Sequence, residues 1–452
     1  MLPARHQTQE YGHKKPRPEH KPIAPFDEKT LPRYSKNTQL NTIKNKKKDV
    51  RMKTVLSNLK KIIPCMLNRY LTRQSQQILF LLLVGSALAT SWCAAEQNNH
   101  SMPYCKDGRY YYSQEEYEQI SVWNHFTSIP YKLPALIMRE LPHLLGIKKQ
   151  PCCDWPTVLA PTFPARSIPL LLTWINHSSF LIQIGDHNIL IDPVFGDCPP
   201  LRRTHKPGFA LEQLPTIDYV LISHNHADHT DFATLKTVAT RDNPLFIIPA
   251  GNTKLFNAMG LTKITEKTWW EQLVLLEKTK QTADTPSGDK KLLTITCLPA
   301  RHWSCRKLLD ANTALWSSWM IECNGTTLYC AGDSGYGPHF KEIAKNFPII
   351  NVALMPIHPI KSSSEHMGPK DAITAFLDLN AQTFIPIHWG TFSCESYIPE
   401  MPLIRLAQHW QLRQKELDAK QCLLFQFGQT KQVHPDAPDA TTLESLMALT
   451  TY

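Results

Sequence analysis

The chain has 452 residues, 42% of them hydrophobic and 19% charged, which is enough apolar material for one large domain or two ordinary ones and excludes a wholly disordered chain. Thirty-five prolines against 17 glycines punctuate it too often for an all-helical bundle or a coiled coil, and favour a loop-rich α/β or β-rich enzyme. The net charge of +10 is unevenly spread: residues 1–77 carry 18 Lys/Arg against 5 Asp/Glu, a net +13, which leaves −3 for the other 375 and gives no electrostatic reason to expect a nucleic-acid ligand.

Residues 1–77 read as a disordered basic arm, since stretches such as KKPRPEHKPIAP and NKKKD offer few apolar side chains to bury. Two readings of the arm stay open: a mis-called start with no role, or a juxtamembrane stretch that touches anionic lipid. Residues 78–95, ILFLLLVGSALATSWCAA, form an uncharged run between Lys/Arg-rich sequence and the polar EQNNH. Such a run fits a signal peptide with the small-residue site Cys93-Ala94-Ala95 and translation from Met66, an uncleaved signal anchor, or a buried core helix. The first two readings place the basic side in the cytoplasm and export everything after residue 95, into the periplasm or envelope of a bacterium. Trp92, where a small residue should precede Cys93, argues against a lipoprotein.

Residues 96–165 are aromatic and Pro-rich (YCKDGRYYYSQEEY, WNHFTSIPYKLP) and read as an extended lead-in packed on the main domain, with a helical stretch at 135–147. The domain at 166–435 then alternates short apolar runs with turn residues. Strands are expected at 170–175, 180–184, 188–192, 219–223, 245–249, 292–298, 315–322, 326–332, 351–356 and 383–388, with Gly185-Asp186 marking a hairpin. Helices are expected at 231–239, 253–259, 340–346, 370–379 and 403–417. This α/β (α+β) order suggests two sheets packed face to face with helices outside; residues 436–452 form a tail. Paired Trp269-Trp270 reads as a core turn, with an exposed lipid-facing feature as the other possibility. Ten of the 12 cysteines follow residue 95, an even number that permits disulfides without assigning them, and no CxxC spacing suggests a zinc ribbon.

The sharpest local signal follows the run YVLIS: His224-Asn225-His226-Ala227-Asp228-His229. In an extended segment residues two apart face one side, so His224 and His226 can present imidazoles to one metal ion. Asp228 and His229, where the chain turns into the next helix, can serve a second. Carboxylate mixed with imidazole, without thiolate, suits a hydrolytic site for zinc or a similar divalent ion.

HNHADH resembles the HxHxDH signature of the metallo-β-lactamase fold. Further elements follow in order: Pro299-Ala300-Arg301-His302-Trp303, Ala331-Gly332-Asp333-Ser334-Gly335-Tyr336 and Ile387-His388-Trp389-Gly390-Thr391-Phe392. Within that superfamily the chain resembles N-acylphosphatidylethanolamine-hydrolysing phospholipase D and its bacterial relatives, through Thr173-Trp174-Ile175-Asn176-His177, Ile191-Asp192-Pro193-Val194-Phe195, Trp269-Trp270 and Leu315-Trp316-Ser317-Ser318-Trp319. The similarity spans roughly residues 165–430 and implies a four-layer αββα sandwich with the site at the edge between the sheets.

The resemblance implies two Zn2+ per chain, one held by His224, His226 and His302, the other by Asp228, His229 and His388, with Asp333 bridging. Asp192 is either an acceptor that orients a ligand imidazole or a structural turn before Pro193. His177 either lines the cleft or caps a turn. His366 aligns with a family histidine that is not a ligand and is placed to hydrogen-bond phosphate or protonate a leaving group; the alternative is a helix-entry residue before Pro369. Asp228, Asp333 and His366 are the expected catalytic residues. Trp303 and Trp389 either wall the pocket or sit in the core.

The implied chemistry is attack of a metal-bridging hydroxide on a phosphodiester, so that a phospholipid at a membrane surface is the expected partner, with the oligomeric state left open. Three features depart from the phospholipase pattern and bear on lipid selectivity: Ala227 in place of Tyr, Arg301 in place of a neutral amide, and a shorter segment at 358–364. A lactonase or other ester hydrolase is the alternative enzyme, and β-lactamase activity has no support beyond the shared metal motifs. A non-catalytic envelope protein is the remaining alternative, against which the intact ligand set counts.

Overall fold

The computed structural model describes residues 101–119, 153–159, 161–167, 169–199, 201–276, 292–307, 310–393 and 397–433. The arm, the apolar run at 78–95, the stretch at 135–147 and the tail lie outside the described residues. Among the described residues no helix is long and apolar enough to cross a membrane.

The lead-in folds locally. Strands β1 (Tyr104–Lys106) and β2 (Arg109–Tyr111) make a hairpin followed by helix α1 (Gln114–Gln119). The first large sheet starts with β3 (Leu171–Asn176), β4 (Ser179–Ile184) and β5 (His187–Ile191). The β4–β5 turn places Gly185 at φ 55° and Asp186 at φ 71°, the pair of positive φ values that a tight two-residue hairpin requires. After the two-residue strand β6 (Arg202–Arg203), the chain continues through β7 (Tyr219–Leu221), α2 (Phe232–Asp242), β8 (Leu245–Pro249), α3 (Thr253–Asn257) and β9 (Ile264–Lys267).

The second large sheet begins with β10 (Gln272–Leu276), β11 (Leu292–Leu298), β12 (Ser318–Cys323) and β13 (Thr326–Cys330). It continues with α4 (His339–Asn346), β14 (Val352–Pro356), α5 (Pro369–Asp378) and β15 (Thr383–Ile387). Then come β16 (Phe392–Ser393), which pairs with β6, α6 (Met401–Leu412), β17 (Gln421–Cys422) and β18 (Thr430–Gln432). Strand orders are β18-β3-β4-β5-β7-β8-β9 and β10-β11-β12-β13-β14-β15-β17. Each sheet is antiparallel in its first half and parallel in its second, the parallel strands being linked through helices.

Period-two burial separates the layers. In β4 and β5, Phe180, Ile182, Ile184, Ile189 and Ile191 enter the core shared with Ile295, Trp319 and Ile321 of the second sheet. Their neighbours Leu181 and Leu190 pack on the opposite face with Leu235 and Val238 of α2 and Phe256 of α3. Helices α5 and α6 cover the second sheet, where Phe384 lies 5.3 Å from Phe376 and 5.7 Å from Trp410, ring centre to ring centre. The result is the expected αββα sandwich. Strands buried on both faces explain why β8 (LFIIP) and β14 (VALMP) are continuous apolar runs rather than alternating ones.

Several boundaries differ from the sequence expectation. Leu315 and Trp316 are buried yet precede β12: Leu315 N–H donates to the Ala250 carbonyl at 2.7 Å and Ser317 N–H to that of Ser223 at 2.9 Å, which pins this stretch across to the first sheet. Helix α6 ends at Leu412 and not at 417. Edge strand β9 (ITEK) carries half-exposed, polar residues and lacks an apolar signature, whereas β10 (QLVLL) is a short apolar run absent from the strands expected above. Trp269 is buried with its indole N–H on the Trp316 carbonyl at 2.8 Å, as a core residue, while Trp270 packs against the core from its edge. Eight cysteines, from Cys105 to Cys422, are free thiols among the described residues.

Candidate metal centre

Every residue expected to hold metal sits where a strand ends. After β7 the loop bends sharply, with the His226 carbonyl accepting from His229 N–H at 3.2 Å and Thr230 N–H at 2.8 Å. This turn brings Asp228 and His229 back beside His224. Asp231 caps α2 by accepting from Ala233 N–H at 3.1 Å, and takes Gly196 N–H at 2.8 Å, so it is used structurally. His302 follows β11, Asp333 follows β13, and His388 follows β15 directly with φ 64°. Gly332, before Asp333, has φ 57°, and a Cβ there would stand 2.6 Å from Ser223 Cβ; only glycine lets the two loops approach this closely.

The side chains converge in two groups: His224, His226 and His302 in one, Asp228, His229 and His388 with His177 in the other. Asp333 lies between them. Its Oδ2 is 3.8 Å from the Nε2 atoms of His224 and His302, 3.3 Å from that of His229 and 3.1 Å from that of His388. His302 Nε2 and His226 Nδ1 stand 3.1 Å apart. Two atoms each about 2.0–2.1 Å from one tetrahedral zinc would be roughly 3.3 Å apart, so these spacings suit shared ligation.

The donor set also fits a cation by what it lacks. Among the described residues, His224 Nε2, His226 Nε2, His229 Nε2, His388 Nε2 and Asp333 Oδ1 are buried with no hydrogen-bond partner. Five unsatisfied polar atoms in one place would be costly unless something else satisfied them. Burial, reinforced by neighbouring imidazoles, holds His224 well below the ordinary histidine range, and burial takes His226 down to about 4. His302 is also lowered by burial, against the pull of Asp333. Neutral imidazoles offer the lone pair a metal needs.

For Asp228 and Asp333 burial acts to raise the pKa, but His177 and His229 beside the first, and His229 and His388 beside the second, reverse the sign and keep both ionised. His229 runs the other way: burial lowers it, and Asp333 with Asp192 outweighs that and raises it well above 6.5.

Asp192 resolves into an orienting acceptor. Its Oδ2 takes His229 Nδ1 at 2.8 Å and Ser223 Oγ at 2.6 Å, and its Oδ1 takes Ser223 N–H at 2.7 Å. His302 is fixed similarly by its Nδ1 on the Glu365 carbonyl at 2.9 Å. His177, which the sequence left open, is buried in the site with Nε2 3.4 Å from Asp228 Oδ2 and its ring 4.2 Å from that of His388. Its position at the end of β3, with φ 46°, leaves no spacing pattern by which sequence would assign it.

His366 is partly exposed, with Nδ1 3.8 Å from Asp333 Oδ2 and its ring 4.9 Å from that of His302. Trp389 packs in the core against Trp174 and Trp155, whereas Trp303 stands edge-on beside His226 at 4.4 Å.

Comparison with known proteins agrees with this architecture. A Beta-lactamase superfamily domain is matched over residues 187–389. An uncharacterized protein of Mycobacterium tuberculosis is 32% identical over 250 residues, covering 52% of this chain and 63% of that protein. The mitochondrial N-acyl-phosphatidylethanolamine-hydrolyzing phospholipase D of Saccharomyces cerevisiae is 30% identical, covering 54% of this chain and 52% of that protein. N-acyl-phosphatidylethanolamine-hydrolyzing phospholipase D 1 of Caenorhabditis elegans is 29% identical, covering 57% and 75%. The chain thus spans between half and two thirds of the length of the first two relatives. Among solved structures, Igni18, a metallo hydrolase of Ignicoccus hospitalis, aligns with a TM-score of 0.43 at 19% identity, covering 59% of this chain and 98% of that one. With its two-sheet sandwich and its strand-end histidines and aspartates, the chain carries a beta-lactamase-fold domain.

Proposed function

We propose that the protein is a metal-dependent hydrolase that uses two divalent ions, zinc by the chemistry of the ligands, to cleave a phosphodiester of the N-acylphosphatidylethanolamine type in phospholipase D fashion. The observation that carries this reading is Asp333, whose Oδ2 lies 3.1–3.8 Å from imidazoles of both groups. His224, His226 and His302 would hold one ion and Asp228, His229 and His388 the other, with Asp333 shared and His177 within reach of the second. Bound there, the ions would supply a water acidified toward neutral pH and a Lewis acid for the phosphoryl oxygen.

The chain's own residues prepare that chemistry. Asp192 and the Glu365 carbonyl take the Nδ1 atoms of His229 and His302, leaving both Nε2 atoms turned inward. The ligand imidazoles of His224, His229, His302 and His388 are buried, which excludes competing water. His366, lowered by burial in spite of Asp333, carries one N–H in its neutral form and sits at the open side of the group, where it can donate to a phosphoryl oxygen or to the departing alkoxide.

The names of the yeast and nematode relatives support the lipid substrate, and the apolar run at 78–95 supports action at a membrane surface outside the cytoplasm. A carbonyl substrate is the second reading, favoured by one observation: Ala227 packs on Val194, Cys198 and Phe392 and puts no ring at the mouth. The test is product analysis with the full chain, zinc restored, on N-acylphosphatidylethanolamine in mixed micelles beside a panel of lactones and simple esters. Phosphatidic acid released and lost on chelation is expected. Lactone or ester turnover with the phospholipid untouched would overturn the phosphodiester reading.

A further inference from the structure

The ligand loops do not stand alone: the lead-in reaches two of them from outside the matched domain. Tyr112 follows β2, and its hydroxyl meets His339 Nδ1 at 3.1 Å; His339 Nε2 meets Ser334 Oγ at 3.2 Å. Ser334 Oγ donates to the Gly335 carbonyl at 2.8 Å and accepts Arg301 N–H at 2.9 Å. With that proton committed, Ser334 accepts from His339 Nε2–H, so His339 Nδ1 is the acceptor for the Tyr112 hydroxyl. The charges agree: burial takes His339 down to about 3 and pushes Tyr112 up to about 12, so both are neutral and each has one proton to give. Gly337 makes room, since a Cβ there would lie 3.0 Å from both the Tyr112 hydroxyl and His339 Nδ1.

A second contact runs beside the first. Glu116 of α1 accepts Tyr112 N–H at 3.1 Å and holds Arg301 Nε at 3.6 Å, with the guanidinium 5.7 Å from the centre of the Tyr112 ring. Arg301 precedes His302, and its carbonyl accepts Gly335 N–H at 2.7 Å, two residues beyond Asp333. Thus Arg301, one of the departures from the phospholipase pattern, has its charge partner in the lead-in, and the loops bearing His302 and Asp333 are tied to each other and to the same segment.

We propose that Tyr112 and Glu116 are positioning residues of the metal centre, fixing through Arg301 and the His339–Ser334 pair the backbone that presents His302 and Asp333. This rests on the reading that the cluster holds metal. It assigns the lead-in a role in metal retention besides packing.

The test measures zinc affinity of the full chain by competition with a chromophoric chelator, with thermal unfolding of the metal-free protein beside it. Tyr112→Phe and Glu116→Gln should each weaken zinc binding about three- to tenfold, less than the roughly 10- to 100-fold that follows loss of a group bonded directly to a ligand, with the metal-free midpoint little changed. Tyr104→Phe, in the same hairpin with its ring on Tyr111 and Tyr117, should leave the affinity as it is. In an Arg301→Gln background, Glu116→Gln should add nothing, because its route to the ligand is gone. Variants that lower the metal-free midpoint with affinity within twofold of the parent, or effects of Glu116→Gln and Arg301→Gln that simply add, would overturn the inference. A parent chain that binds no zinc would remove the metal reading as well, whereas a parent that binds zinc beside unaltered variants removes this inference alone.

Discussion

Asp192 Oδ2 stands 2.8 Å from His229 Nδ1, and this single contact decides which nitrogen of His229 faces Asp333. The same carboxylate takes the backbone and hydroxyl of Ser223, so it joins the end of β5 to the loop that follows β7. Asp192→Asn keeps the shape, removes the charge and can present N–H groups where oxygen is needed. Zinc affinity, followed by chelator competition, should fall about 10- to 100-fold. An unchanged affinity would reduce Asp192 to a turn residue before Pro193.

Asp333 is the most exacting position, because its Oδ2 faces imidazoles of both groups while its side chain is almost wholly buried. Asp333→Asn leaves a neutral amide there, removes the charge that balances His229, and should lower both metal content and turnover. Elemental analysis of the purified variant checks it directly. Full zinc occupancy would show that Asp333 is not shared between the ions.

Metal removal should register in stability as well as in activity. The buried, unpartnered imidazole and carboxylate atoms of the centre would be satisfied by a cation, so an ion held there, zinc in the reading proposed above, would bind the native state in preference to the unfolded one. At free zinc about 100 times its Kd the gain is about 2.7 kcal/mol, a rise of a few degrees in the unfolding midpoint for a domain of this size. Scans in chelator and in zinc-supplemented buffer measure the difference. Coincident midpoints would mean that the cluster does not take the ion.

How much of this was legible in the sequence depends on how local each signal is. His224 to His229 occupy one loop, so strand periodicity alone puts His224 and His226 on one side and turns Asp228 and His229 toward them. His302, Asp333 and His388 are isolated in sequence and become interpretable only through resemblance, because β11, β13 and β15 bring them together. His177 and the Tyr112–His339–Ser334 chain were not legible: each depends on contacts between segments far apart, and a tyrosine in an aromatic lead-in looks like any other. The buried strands were easy for the opposite reason, since burial on both faces writes an unbroken apolar run. Strand β9 (ITEK), at a sheet edge, writes none.

His366 separates ligation from proton transfer. It belongs to the segment whose Glu365 carbonyl fixes His302, its Nδ1 is 3.8 Å from Asp333 Oδ2, and its side chain is 25% exposed, unlike the buried imidazoles of His224, His229, His302 and His388. A group at the open edge is placed to meet substrate, and neutral imidazole can take up the proton of the attacking water and pass it to the leaving oxygen, ending neutral again. His366→Ala should therefore keep the zinc content of the parent while turnover of the cleaved substrate falls by about 10²–10⁴, the usual contribution of a general acid. The loss should be smaller for a substrate whose leaving group has a low pKa, because such an oxygen departs without protonation. Reduced zinc content in His366→Ala would instead place this imidazole among the ligands, with His302 and Asp333 as its companions.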